Sequence, residues 1–253
     1  MDEFCLHVMK IILKYIISLK ILLWACIAIY PQSYPFRSIS VAEGLQDLIV
    51  NALYKDSLGY IWIGTASSLE RFDGVHLKSF PIPEEGKRKD VNTIIEMPGH
   101  ELWMGNRTGL WKVNGEKLLR VAADTIRSGV YSLCSDGKGT LYIGSESGLF
   151  IYNSKGVERI LLDPNVLSGA NFIMGMALDD RDILWVITRK GLYSVVLSGK
   201  SILFHPCLMN GQVYEDGYNN IYSLGSMLYL GTTEKGIITF RSEERRVGKE
   251  CRS

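Results

Sequence analysis

From residue 49 to residue 240 the chain alternates short apolar segments with polar turns, and the alternation repeats. Tyr60-Ile61-Trp62-Ile63-Gly64-Thr65, Glu101-Leu102-Trp103-Met104-Gly105-Asn106, Thr140-Leu141-Tyr142-Ile143-Gly144-Ser145, Ile183-Leu184-Trp185-Val186-Ile187-Thr188 and Met227-Leu228-Tyr229-Leu230-Gly231-Thr232 align on their aromatic residue. The aromatics are 41, 39, 43 and 44 residues apart. A period near 40 with strand-like alternation inside each unit is the length of one four-stranded propeller blade. The predicted fold class is all-β, a β-propeller of four-stranded blades with about five blades recorded.

Each unit supplies the parts of a blade. An apolar inner strand comes first: Ile49–Leu53, Val91–Ile95, Val130–Leu133, Phe172–Leu178 and Ile221–Leu224. Asp56 and Gly59, then Asp136 and Gly139, stand six and three residues before their aromatics, where a polar hairpin turn belongs. The second strand carries the aromatic on one sheet face. Gly64, Gly105, Gly144 and Gly231 leave room there for close sheet packing. Gly109-Leu110, Gly148-Leu149, Gly191-Leu192 and Gly236-Ile237 open the third strand, and Asp73-Gly74, Asn114-Gly115, Lys155-Gly156 and Ser198-Gly199 mark the last hairpin. Ser68 replaces the glycine of that third-strand motif in the first unit, and Ile187 replaces the second-strand glycine in the fourth, so those blades are expected to pack differently.

Both ends depart from the pattern. Lys10, Lys14 and Lys20 precede the apolar run Ile21–Tyr30, closed by Pro31, which is the order of a secretory signal; residues 1–28 are read as a signal peptide or an uncleaved anchor. Arg241-Ser242-Glu243-Glu244-Arg245-Arg246-Val247-Gly248-Lys249-Glu250-Cys251 resembles an in-frame translation of a short-read sequencing adapter, so residues 241–253 are expected to be non-native. The propeller then occupies 29–240. That body carries 20 Lys/Arg against 22 Asp/Glu and no basic face is implied, which argues against nucleic acid as a partner. The 47% hydrophobic content supplies a packed core. Of five cysteines only Cys134 and Cys207 lie in the body, and two buried free thiols are expected there, although pairing stays open. No cofactor and no metal-ligand spacing is expected.

Ser40-Val41-Ala42-Glu43-Gly44-Leu45, Val50-Asn51-Ala52-Leu53-Tyr54-Lys55-Asp56-Ser57-Leu58-Gly59-Tyr60-Ile61-Trp62-Ile63-Gly64-Thr65 and Leu69-Glu70-Arg71-Phe72-Asp73-Gly74 together resemble the opening of the two-component regulator propeller family. The resemblance implies the N-terminal part of a periplasmic sensor region, with propellers of about seven blades, in a hybrid two-component histidine kinase. It also implies an oligosaccharide ligand, a homodimer partner, and attachment to the membrane only through the leader or a downstream transmembrane helix. Any kinase would lie in a downstream remainder, and this region is expected not to be an enzyme. Phe36–Ser40 is the expected ring-closing strand.

Two other classes compete, a secreted propeller glycosidase or lyase and a protein-interaction propeller, because fold does not fix function. A glycosidase needs two carboxylates across a sugar site, but Asp and Glu here sit in turns that explain them. His76, His100 and His205 have no companion at catalytic or metal spacing and read as surface or turn histidines. Trp62, Trp103 and Trp185 recur too strictly to be sugar platforms and read as core. Ligand contacts are expected from turns between second and third strands, at Asn106, Arg107, Glu146, Arg189 and Lys190.

Overall fold

The computed structural model describes residues 3–27, 36, 38–83, 89–198, 201–206, 208–209, 212–213 and 217–241. It divides into two units, Met1–Ser38 and Ile39–Ser253. The first holds one helix, α1 (Glu3–Ile27), with Lys10, Lys14 and Lys20 along it. Among the described residues no helix is long and apolar enough to cross a membrane.

The second unit is a five-blade propeller. Blade 1 is β1 (Val50–Lys55), β2 (Ile61–Thr65), β3 (Ser68–Phe72) and β4 (Leu77–Pro81), and blade 2 is β5 (Val91–Met97), β6 (Glu101–Asn106), β7 (Gly109–Asn114) and β8 (Lys117–Val121). Blade 3 comprises β9 (Val130–Ser135), β10 (Leu141–Ser145), β11 (Gly148–Asn153) and β12 (Gly156–Ile160). Blade 4 comprises β13 (Ile173–Leu178), β14 (Leu184–Thr188), β15 (Gly191–Ser198) and β16 (Ser201–Pro206). A short hairpin, β17 (Leu208–Met209) and β18 (Gln212–Val213), precedes the three described strands of blade 5: β19 (Tyr218–Leu224), β20 (Met227–Thr232) and β21 (Ile237–Arg241). Every blade is an antiparallel meander in chain order. The inner strands pack in sequence, β1 on β5, β5 on β9, β9 on β13 and β13 on β19.

Four interblade cores hold the arc. Trp62, Leu69 and Phe80 of blade 1 meet Ile94, Met104 and Trp111 of blade 2. Trp103 of blade 2 meets Phe150 of blade 3, and Trp185 of blade 4 meets Tyr218 and Ile221 of blade 5. The three repeat tryptophans are at most 4% exposed, as core residues should be. Each strand 2 hugs the next inner strand, and the glycines allow it. A Cβ on Gly64, Gly105 or Gly144 would fall 2.6, 2.4 or 2.5 Å from a side chain of Val91, Val130 or Ile173. Ile187 breaks that rule, and its cross-strand partner compensates: Ala52, Thr93 and Ser132 face the three glycines, whereas Gly175 faces Ile187.

The turn before the aromatic is built as the sequence predicts and reaches further. Asp56 accepts from the amides of Leu58 and Tyr60 and, through Oδ2, from Trp62 Nε1 at 2.8 Å. Asp179 does the same for Arg181, Ile183 and Trp185. The residue three before the aromatic has positive φ in the first four blades, at Gly59 and Gly139 but also at His100 and Asp182. In blade 2 Met97 stands where the aspartate should be, and Trp103 Nε1 is buried without a hydrogen-bond acceptor among the described residues.

The described residues of the expected closing strand Phe36–Ser40 are not in a strand. Ser40 instead caps a 3-10 turn over Val41–Glu43 in a capping box, with Glu43 Oε2 accepting from the Ser40 amide at 2.8 Å. Cys134 is a free thiol, pushed up to about 11 chiefly by burial; Cys207 and residues 242–253 lie outside the described residues.

Candidate functional site

Because the strands of a blade alternate in direction, the turns joining strands 2 and 3 share one end of the arc with the starts of the inner strands. Five side chains from three successive blades meet at that end. Tyr131, second in β9, donates its hydroxyl hydrogen to Glu146 Oε1 at 2.6 Å, from the β10–β11 turn. Its ring lies 5.2 Å from that of Phe172, which enters β13. The Arg189 guanidinium, from the β14–β15 turn, sits 3.8 Å above the Phe172 ring centroid, a close cation–π contact. Arg107, from the β6–β7 turn, completes the row, its Nε held 3.1 Å from Asp90 Oδ2.

The electrostatics tie these residues together. Burial, then the bond to Glu146, push the Tyr131 hydroxyl up to about 12, and the charges of Arg107 and Arg189 partly counter this. Tyr131 therefore stays a neutral donor at physiological pH. The row presents two half-buried aromatic rings, one exposed carboxylate and two exposed guanidiniums, of which that of Arg107 is ion-paired to Asp90. Such a surface can stack the apolar face of a ring while exchanging hydrogen bonds with its hydroxyls or acidic groups.

The structure sorts the expected contact residues. Arg107, Glu146 and Arg189 come together. Lys190 is exposed beside them, its amide donating to Thr188 Oγ1, and lies near Asp163. Asn106 is corrected: it is fully buried, and its Oδ1 accepts from the amides of Thr108 and Gly109 and from Trp111 Nε1. It serves the turn, as Thr65, Ser145 and Thr188 do in their blades by donating to the carbonyls of Ser68, Gly148 and Gly191. Tyr131 and Phe172 escaped the sequence reading. Their signal was a break in the repeat, since the position of Tyr131 holds Asn51, Asn92 and Asn219 in blades 1, 2 and 5.

The fold and this row define a β-propeller with a polar and aromatic surface at its strand 2–3 turns. Residues 44–67 match the family model described as two component regulator propeller, so the first blade carries a repeat of that family. No curated protein matches the chain in sequence. Among solved structures, the extracellular domain of the hybrid two component system BT4673 from B. thetaiotaomicron is similar at 19% identity, over 78% of this chain and 28% of that one, with a TM-score of 0.63. A catalytically inactive virginiamycin B lyase from Staphylococcus aureus, solved with quinupristin, is similar at 12% identity over 78% of this chain and 67% of that one, with a TM-score of 0.62. PorZ, a surface component of the type-IX secretion system of Porphyromonas gingivalis, shares 19% identity over 82% and 34%, with a TM-score of 0.59. At these identities the likeness is one of fold, and it extends to a two component system, a lyase and a secretion-system component alike. The chain spans about a quarter of the BT4673 domain and about two thirds of the lyase.

Proposed function

We propose that this chain is the extracytoplasmic ligand-sensing propeller of a two-component signalling protein, exported through its basic-then-apolar leader, and that the row at the strand 2–3 turns binds oligosaccharide. The observation that carries the reading is the convergence of Tyr131, Glu146, Phe172 and Arg189 from blades 3 and 4. An aromatic floor with a charged rim suits pyranose rings, whose axial C–H faces stack and whose hydroxyls need both donors and acceptors. The repeat at 44–67 and the fold shared with the BT4673 domain support the signalling context. In this reading the region binds without catalysis, acts with a second copy, and passes occupancy to downstream domains of its own chain.

Titration of the full chain with defined oligosaccharides, followed by calorimetry and by product analysis, tests it. Saturable binding that Phe172→Ala weakens at least about tenfold, with the sugar recovered intact, is expected. Released cleavage products would move the chain to the lyase class. No binding across neutral and acidic oligosaccharides would remove the assignment.

A further inference from the structure

At the opposite end of the arc, a cavity of about 200 Å³ opens between blades 1 and 2, lined among others by Leu58, Tyr60, Arg71, Leu102 and Val113. Arg71 faces Trp62 across the β2–β3 ladder, and its guanidinium lies 4.3 Å from the Tyr60 ring centroid and 5.8 Å from that of Trp62. Blade 2 repeats the pairing of a cation with the tryptophan but differs in the cation and in the residue beside it. Lys112 faces Trp103 across β6–β7, 5.4 Å above its ring, and is neutralised by Glu101 at 2.6 Å. Glu101 stands two residues before its tryptophan, and the same position in blade 1 is Tyr60. So the carboxylate that pairs the blade 2 cation is replaced in blade 1 by a ring. Arg71 stacks on that ring, and its N–H groups meet no acceptor among the described residues.

The carboxylates that line the cavity do not fill the gap. Asp56 is committed to the Leu58 and Tyr60 amides and to Trp62 Nε1. Glu96 is committed to the amide and hydroxyl of Ser57 at 2.8 and 2.7 Å and to His100 Nδ1 at 3.0 Å. Their lone pairs face fixed donors, which leaves the planar fork of Arg71 as the unspent donor set in a partly apolar recess. We propose that this interblade cavity binds a small organic carboxylate, whose carboxyl group takes on Arg71 the place that Glu101 takes on Lys112. Bidentate pairing suits a guanidinium on a flat aromatic bed, and the apolar body of the acid packs on Leu58, Leu102 and Val113. The volume lies below the ~300–1,000 Å³ of pockets for drug-sized ligands, which restricts the occupant to a small acid.

Calorimetric titration of the full chain with benzoate and with D-glucuronate, each against its neutral counterpart benzamide or D-glucose, tests the assignment. At least one acid is expected to bind, with its counterpart at least about tenfold weaker. Tyr60→Glu, which installs the blade 2 ion pair, should abolish that binding while leaving the thermal melt intact. Arg71→Lys, which keeps the charge and loses the fork, should weaken it severalfold. Phe172→Ala, at the other end, should leave it unchanged. Absence of binding by either acid at ~10 mM, equal binding of acid and neutral counterpart, or retention of binding in Tyr60→Glu overturns the proposal. So does loss of binding in Phe172→Ala alone, which would assign the acid to the other end of the arc.

Discussion

Gly105 and Gly231 occupy the same place in their repeats, and the structure separates them. An added Cβ at Gly105 would lie 2.4 Å from Val130 Cγ1, 2.9 Å from Val130 Cβ and 2.8 Å from Thr93 Cγ2. Carbon atoms pack at about 3.5–4.0 Å, so blades 2 and 3 must part by roughly an ångström or Val130, which is fully buried, must leave its rotamer. Overpacking of that kind costs about 1–3 kcal/mol, partly offset by the ~0.4–1 kcal/mol that Gly→Ala gains by restricting the unfolded chain. At Gly231 the nearest atom to the new Cβ is 3.8 Å away and only that offset remains. Gly105→Ala should therefore destabilise by about 1–2 kcal/mol and Gly231→Ala should be neutral or slightly stabilising. Urea unfolding followed by tryptophan fluorescence compares them directly. Equal losses at the two sites would refute the reasoning, because they would mean that another surface covers blade 5 as closely as blade 3 covers blade 2.

Asp56→Ala strips the acceptor from the buried Trp62 indole and from two turn amides, and should cost about 2–4 kcal/mol by thermal or urea melts. For Glu96, burial raises the carboxyl, but its bonds from Ser57 and His100 outweigh this and hold it below the ordinary 4.5. Its contribution is thus complete above that value and fades as pH falls through the lower folded one, so acid titration of stability should lose part of its slope in Glu96→Gln. Leu53 on β1 and Tyr222 and Leu224 on β19, at 60–68% exposed, leave apolar side chains of the first and last inner strands in water. Residues 29–240 should accordingly self-associate in size-exclusion chromatography, and a chain extended by further repeats should not.

The blade plan was legible because each strand type carries its own mark. Four of the five inner strands begin within one residue of expectation, and the tryptophans are buried as expected. β19 begins three residues early because Tyr218 pairs with Thr232 across a register shift, which an apolar pattern starting at Ile221 does not reveal. Asn106 was misread because a polar residue in a turn looks the same in sequence whether it faces solvent or ties the turn from inside. The pairing of Ile187 with Gly175 was hidden for a related reason, since the compensating glycine is remote in sequence and adjacent only through strand register.

The repeat itself accounts for where chemistry is to be found. Positions that most blades fill alike are spent on the fold: the aspartate before the aromatic, the glycine under the next blade, the hydroxyl or amide that ties the strand 2–3 turn. A side chain becomes available for other work where one blade departs from the pattern without a compensating contact. Met97 and Ile187 depart inside the core, where they change an indole hydrogen bond and interblade packing. Tyr131 departs at an open end, in place of asparagine, and reaches Glu146 and Phe172. Tyr60 stands beside a cavity at the position that blade 2 fills with Glu101, and Arg71 stacks on its ring where Lys112 has a counter-charge. Local consistency marks what the fold requires, and unrepaired inconsistency at a surface marks what binding can use. If that holds, exchanging residues of other blades into both sites, Tyr131→Asn as in blades 1, 2 and 5 and Tyr60→Glu as in blade 2, should preserve the melt of the chain while removing ligand binding at each end independently. Loss of folding in either variant would show that the departure had been structural after all.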